Sequence, residues 1–449
     1  MRRSIRSVRP FHCVLAVLWL VWAVPAAAGQ KPPKAVTDWL KSNAIPLTTV
    51  EAGHGLDDMI PLATVVGDAH AVALGEGTHG TSEFQKFKHR MLEFLVEEKG
   101  FTAFAMETGF GDAFAVNDFV LNGTGNPAQA IKAMGYWPWS TQELLDMVLW
   151  MRAYNQDPAH AAKVQFFGFD MQDSGPSTTA ALGYLESVDP AYAATASADL
   201  QKFTTDSWEW DYASQSSSVI QADATTIAGV LSDFDQNRAS YSALSGEKAW
   251  ALARQHVRAV QQCQALFRIP MDDFWDSMNC RDAAMAENAL WLLAYEGPDT
   301  HFVLWAHNGH VSFDQGDYGW YTMGTHLKEN LGADLVVMGL EFDQGQFLAV
   351  KETASGYGDL TVFTVKPAIK SSINAALASA KIPIFAVDIR NIPPSDKNGA
   401  WWHAHHPERS IGAVYDPDLA QQYYLSLTPP DAYDVYLFIE STNATTLLP

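Results

Sequence analysis

The sequence predicts an α/β protein: a mostly parallel central sheet with flanking helices, an inserted helical subdomain and a small C-terminal mixed lobe. Three observations predict it. The first is a set of short apolar, β-rich runs at Ala71–Leu74, Phe101–Met106, Val164–Phe167, Phe302–Trp305 and Leu335–Met338. Each is closed by a glycine, a polar residue or a turn, the pattern of strands buried on both faces. The second is the segment between the first two runs, where Phe84, Phe87, Met91 and Leu95 recur about once per helical turn. A strand, an amphipathic helix and a second strand make a βαβ unit, which implies parallel strands and a right-handed crossover. The third is the length of the helical stretches at 141–154, 192–234 and 246–267, too long for simple crossovers.

These observations divide the chain. An α/β core is expected over about 60–180 and 280–350, a helical insertion over about 185–278, and a C-terminal mixed lobe over about 360–449. The lobe rests on strand-like runs at 382–387, 410–415 and 433–439, separated by turns such as Ile392-Pro393-Pro394. Ahead of the core, Arg2, Arg3, Arg6 and Arg9 precede the apolar run from Cys13 to Val24, and Pro25-Ala26-Ala27-Ala28 ends it with small residues. That is the layout of a secretory signal peptide over 1–28, and it predicts a periplasmic or secreted protein.

Composition narrows the function. The chain of 449 residues is 48% hydrophobic and only 18% charged, ample for a large packed core. Its formal net charge of −22 disfavours a nucleic-acid partner or an anionic membrane surface. No phosphate loop, dinucleotide fingerprint or redox C-x-x-C pair occurs, so no cofactor is expected. No G-x-S-x-G elbow is present either, which disfavours a serine hydrolase. Beyond Cys13, only Cys263 and Cys280 remain as a pair that an oxidising compartment could join.

The chemistry is concentrated in the residues just past each strand. After Leu74 comes Gly75-Glu76-Gly77-Thr78-His79-Gly80; after Met106, Glu107; after Phe167, Gly168-Phe169-Asp170; and after Trp305, Ala306-His307-Asn308-Gly309-His310. Carboxyl ends of parallel strands share one edge, where ligands bind. Glu76, His79, Glu107, Asp170, His307 and His310 are therefore expected to converge as acids and imidazoles suited to general acid/base hydrolysis. The glycines beside Glu76 and His79 let the backbone turn sharply or approach a substrate closely. Tyr136, Trp137 and Trp139 either line an apolar cleft or fill the core. The tract His403-Ala404-His405-His406 resembles a metal tract but reads better as a loop.

The Gly75–Gly80 block, Glu107, "GFDMQ" at 168–172 and "WAHNGH" at 305–310 together resemble the erythromycin esterase family. So do Trp137-Pro138-Trp139-Ser140-Thr141, "WMRAYN" at 150–155, "RDAAMAEN" at 281–288, Met323–Leu327 and the stretch 339–347. By block order the resemblance runs from about Thr37 to the C-terminus. It implies hydrolysis of a small-molecule carboxylic ester or lactone, best known as the macrolide ring, without a required metal. On this resemblance His79 is the general base, Glu76 lies beside it, and Glu107 orients the imidazole. His307 and His310 bind the substrate, or stabilise and protonate the oxygens that become charged. Lys88 stands where macrolide-active relatives carry an arginine, with Arg90 close by. Both are substrate-binding candidates, as are Asp170, Arg281 and Trp137. Lysine keeps the charge but lacks the planar fork. Two other readings use the same residues: a metallohydrolase with Glu76, His79, His307 and His310 as ligands, and an envelope binding protein without turnover.

Overall fold

The computed structural model describes residues 31–270, 272–314, 317–353 and 356–449; the segment expected to be a signal peptide lies outside them. The strands are β1 (Ile45–Pro46), β2 (Ala71–Leu74), β3 (Ala103–Gly109), β4 (Gln165–Asp170), β5 (Phe302–Trp305), β6 (Leu335–Thr353), β7 (Gly356–Val365), β8 (Ile384–Asp388), β9 (His406–Arg409), β10 (Val414–Tyr415), β11 (Tyr424–Leu427) and β12 (Val435–Thr442). The main sheet runs β1-β8-β12-β6-β2-β5-β3-β4, with β7 and β10 on the extended half of β6. From β12 through β4 every neighbouring pair is parallel.

Residue size sorts the two faces of this sheet. Val72, Leu74, Phe104, Met106, Val303 and Trp305 point to one side, into the larger core. Ala71, Ala73, Ala103 and Ala105 point to the other, so the strands are apolar on both faces as parallel strands require. On the bulky side lies the helix Ser82–Lys99, which ends at Gly100 in the left-handed region (φ 71°), a conformation glycine adopts without a Cβ clash. It crosses from β2 to β3, and β5 is threaded between those two strands.

Between β4 and β5 the chain is helical. Helices Gly175–Val188, Pro190–Leu200, Ser217–Gln236 and Glu247–Phe267 enclose their own core of Leu185, Leu200, Phe203, Ile227, Phe234 and Val257. The next helix, Phe274–Glu296, returns to the sheet and packs on β4.

The C-terminal strands differ from the expected lobe. β12 lies inside the central sheet, parallel to β6 and antiparallel to β8. Only β9 and β11 form a separate ribbon. Strand propensity identifies such segments but says nothing about their pairing partner. Cys263 and Cys280 are both free thiols. Among the described residues, no helix is long and apolar enough to cross a membrane.

Candidate active site

Because β2, β3, β4 and β5 are parallel, the residues at or just beyond their carboxyl ends meet at one sheet edge. A cavity of about 200 Å³ opens there. His79, Glu107, Arg281, His307 and His310 line its floor, and Tyr136, Pro138, Trp139, Phe274, Tyr318 and Trp320 line much of its wall.

His79 is anchored from below. Its Nδ1 lies 2.7 Å from Oε1 of Glu76. The carboxylate can only accept, so Nδ1 carries the hydrogen and Nε2 is the basic nitrogen. Glu76 is fully buried, and its second oxygen accepts from the Lys88 ammonium and, at 2.9 Å, from the Trp305 indole N–H. The Lys88 ammonium also sits 4.1 Å from the centre of the Trp305 ring. Burial lowers Lys88 to about 8, against the opposing pull of Glu76. Lys88 is thus a wholly buried partner of Glu76 and is not among the cavity-lining residues, contrary to the expectation that it binds substrate.

A second network surrounds Glu107. Arg281 donates through Nη2 to Glu107 and to Asp170, each at 2.7 Å. His310 turns Nδ1 to Asp282, 3.0 Å from both oxygens, and Nε2 to Glu107 at 3.4 Å. Burial works against a charged ring, yet Asp282 and Glu107 outweigh it and raise His310 to about 9. For Glu107, burial would raise the carboxyl, but His310 and Arg281 hold it well below the usual range. When His310 loses its proton, Nε2 becomes an acceptor for Arg281 Nη1, 3.0 Å away. Asp170 faces Arg281 and does not line the cavity; it positions the guanidinium.

His307 has a different role from His310. Its Nδ1 accepts from the Gly309 N–H at 3.1 Å, and its Nε2 lies 3.2 Å from the Ile411 carbonyl. Both ring nitrogens are engaged, so the ring is neutral with its hydrogen on Nε2. Burial, then His79 and His310, hold its pKa well below the usual histidine value. Its ring centre lies 5.1 Å from that of His79. His307 therefore forms the wall beside the base, and its backbone N–H fixes Glu107 at 2.9 Å.

The glycines of the His79 loop make room for protein rather than substrate. A Cβ on Gly75 would lie 2.0 Å from Asn308 Oδ1, and one on Gly80 would lie 1.9 Å from the Leu348 carbonyl oxygen. Asn308 in turn donates to Glu341 at 2.7 Å. Burial and neighbouring Glu408 push Glu341 well above the usual carboxylate range. Sequence reasoning misses Glu341, Asn308 and Asp282. Glu341 lies within β6, three residues past the apolar run Leu335–Met338, where that run gives no sign that the strand continues.

Two further candidates lie elsewhere. Arg90 is buried against Asp58 and the carbonyls of Thr49 and Gly55, where it ties down the N-terminal loop. Trp137 packs with Leu348 and Val350, while its neighbours Tyr136 and Trp139 line the cavity. The histidine tract disperses: His403 faces the Ile392 carbonyl, His406 the Trp401 carbonyl, and His405 Asp317. Among the described residues, no group of three or more His, Cys, Asp or Glu side chains is placed to hold a metal ion.

Known proteins share sequence and fold with this chain. Erythromycin esterase type II of Escherichia coli is 25% identical over 399 residues, covering 79% of this chain and 89% of its own. A crystal structure of a Bacillus cereus protein superposes with a TM-score of 0.83 at 26% identity, covering 93% of this chain and 99% of that one. A mutant of the erythromycin esterase EreC in its open conformation shares the fold, with a TM-score of 0.65 at 17% identity, over 86% of this chain and 94% of that one. The family model for erythromycin esterase matches residues 96–442, so the His79 loop lies upstream of the match. With well over half of the sequence matched, the chain belongs to the erythromycin esterase family, hydrolases that act on esters.

Proposed function

We propose that this protein hydrolyses a small-molecule carboxylic ester or lactone, the macrolide ring included, with His79 as general base and no metal ion. The observation that carries the reading is the His79–Glu76 pair at the cavity floor. Nε2 of His79 takes a proton from water as the oxygen attacks the substrate carbonyl. Glu76, braced by Lys88 and Trp305, stabilises the imidazolium that forms. Arg281 and protonated His310 face the oxygen that becomes negative, the electrostatic role that commonly contributes most to catalysis. Collapse of the tetrahedral intermediate breaks the acyl C–O bond. The leaving alkoxide takes up the proton from His79, and the products are an acid and an alcohol, carried on one ring-opened hydroxy acid when the substrate is a lactone.

The test is hydrolysis of aromatic esters, lactones and macrolides by purified protein, read by mass spectrometry for addition of water. His79→Ala is expected to lower kcat by about a hundredfold to ten-thousandfold while leaving the circular dichroism spectrum unchanged. Equal rates for both proteins on every ester would remove His79 from the reaction. Loss of activity with a chelator and its return with zinc would replace the metal-free mechanism with a metal-dependent one.

A further inference from the structure

One wall of the cavity carries a charge that the reaction does not use. Glu352, on the extended half of β6, lines the same cavity as His79. Its Oε2 accepts a hydrogen bond from the Tyr423 hydroxyl at 3.2 Å. That hydroxyl itself accepts from the Asp416 N–H at 2.8 Å, so its own hydrogen is directed to Glu352. No lysine or arginine pairs with Glu352 among the described residues. Arg281 is the one such side chain among the described residues lining the cavity, and it is engaged by Glu107 and Asp170.

The contrast with Glu107 is informative. Glu107 has two cationic neighbours, whereas Glu352 has a neutral donor, Tyr423, as its side-chain partner among the described residues. Burial pushes Glu352 above its ordinary range, and Asp416 adds to that pressure, so a cation entering the cavity would relieve it. Tyr136, Trp139 and Tyr423 line the same cavity, and aromatic rings attract cations over their faces when water is excluded. The strongly acidic chain, at −22, also raises the local concentration of cationic ligands.

We propose that Glu352 anchors a cation subsite, so that this protein selects esters or lactones carrying a protonated amine away from the scissile carbonyl. This rests on the ester-hydrolase reading, and it names a specificity that the catalytic residues do not supply. Glu352 touches no reacting atom; its effect is on substrate binding and therefore on KM.

The experiment compares phenylacetate esters of 2-(dimethylamino)ethanol and of 3-methylbutanol, which match in shape and differ in charge, along with homologues of longer spacer. Wild type is expected to prefer the amine esters by about tenfold in kcat/KM, the size of one good charge contact. Glu352→Gln is expected to remove that preference through KM and to leave the neutral esters unchanged. Glu352→Asp, which keeps the charge, retains part of it. An equal loss on both ester types, or no preference in wild type at any spacer length, overturns the subsite. Titration of benzyltrimethylammonium alone separates this proposal from the catalytic one. If wild type hydrolyses no ester, the hydrolase reading fails, and the titration then decides the subsite. Binding that weakens in Glu352→Gln supports it, and equal or absent binding in both proteins overturns it.

Discussion

Replacing Lys88 with methionine would leave the Glu76 carboxylate buried without its ion pair. Breaking such a pair from one side costs about 3–5 kcal/mol, so Lys88→Met is expected to unfold at markedly lower urea concentration. It is also expected to lower kcat more than it raises KM, because Lys88 reaches the substrate only through Glu76 and His79. A rise in KM alone would restore the substrate-binding role expected from sequence. His310 gives a pH-dependent counterpart. Its pKa is about 9 when folded and 6.5 ordinarily, so the folded state holds a proton that the unfolded chain releases between those values. The stability this contributes is complete below pH 6.5 and fades as pH rises towards 9. From pH 6.5 to 8 alone the loss is about 2 kcal/mol, at about 1.4 kcal/mol per pH unit. Glu408, raised to about 7, titrates inside this window and the depressed Lys88 acts with the opposite sign above pH 8, so the His310 share is read from the difference between wild type and His310→Gln. Urea titrations at pH 6.5 and 8 are expected to show this decline in wild type, with the His310→Gln decline smaller by about that amount. The strand-end rule makes Glu76, His79, Glu107, His307 and His310 legible because position along a parallel strand fixes which edge a residue reaches. It cannot separate His307 from His310, whose difference lies in what the second nitrogen meets. Nor can it place Lys88, because a charged residue on an amphipathic helix reads as solvent-facing until its buried partner is known.

The loop after β2 and the helices of the insertion use glycine in opposite ways. At Gly80 a methyl group would lie 1.9 Å from a backbone oxygen of β6, which cannot move without shifting the strand. Gly80→Ala is expected to cost about 3 kcal/mol or more, as overpacking against backbone does, and to displace His79 enough to abolish turnover. Gly183, within the helix Gly175–Val188, meets nothing within 4 Å. There, alanine is expected to stabilise by about 0.8–1.0 kcal/mol through helix propensity. Thermal unfolding of the two variants should move in opposite directions, and a harmless Gly80→Ala would disprove the close-approach account. At this scale the sequence is most legible where periodicity is strong. The amphipathic helix expected between the first two runs is Ser82–Lys99, and all five apolar runs carry strands. The apolar pattern marks β6 only over Leu335–Met338, yet the strand continues to Thr353, because beyond Met338 glycine and acidic residues interrupt the run. That continuation carries both Glu341 and Glu352, so a strand cut short at Met338 conceals the carboxylates it presents.

The last residues of the chain are stitched onto the loop that holds the base. Ser82 donates its N–H to the Asn443 carbonyl at 2.9 Å, and Thr445 donates to the Gly80 carbonyl at 3.0 Å. Asn443 N–H reaches Glu83 at 2.7 Å, and Thr446 N–H reaches Glu143 at 3.1 Å. Sequence periodicity could not show this, because the contacts span more than three hundred residues and use backbone groups that any residue supplies. The C-terminal segment consequently has two separable roles. Strand β12 sits between β6 and β8 with Val435, Tyr436, Leu437 and Phe438 fully buried, so it completes the sheet. Residues 443–449 lie past it and fasten the His79 loop. A chain ending at residue 428 loses β12, opens β6 along its length and is expected to be insoluble or to lack a cooperative unfolding transition. A chain ending at 442 keeps the sheet. It is expected to remain folded, with hydrogen exchange faster at 78–83 than in wild type and kcat reduced by at least about tenfold, the cost of a slightly misplaced catalytic group. Normal turnover in that shorter chain would show that the loop's contacts with Leu340, Leu348 and Ile411 hold it without the last residues. A soluble, cooperative chain ending at 428 would show instead that the C-terminal segment is an independent lobe after all.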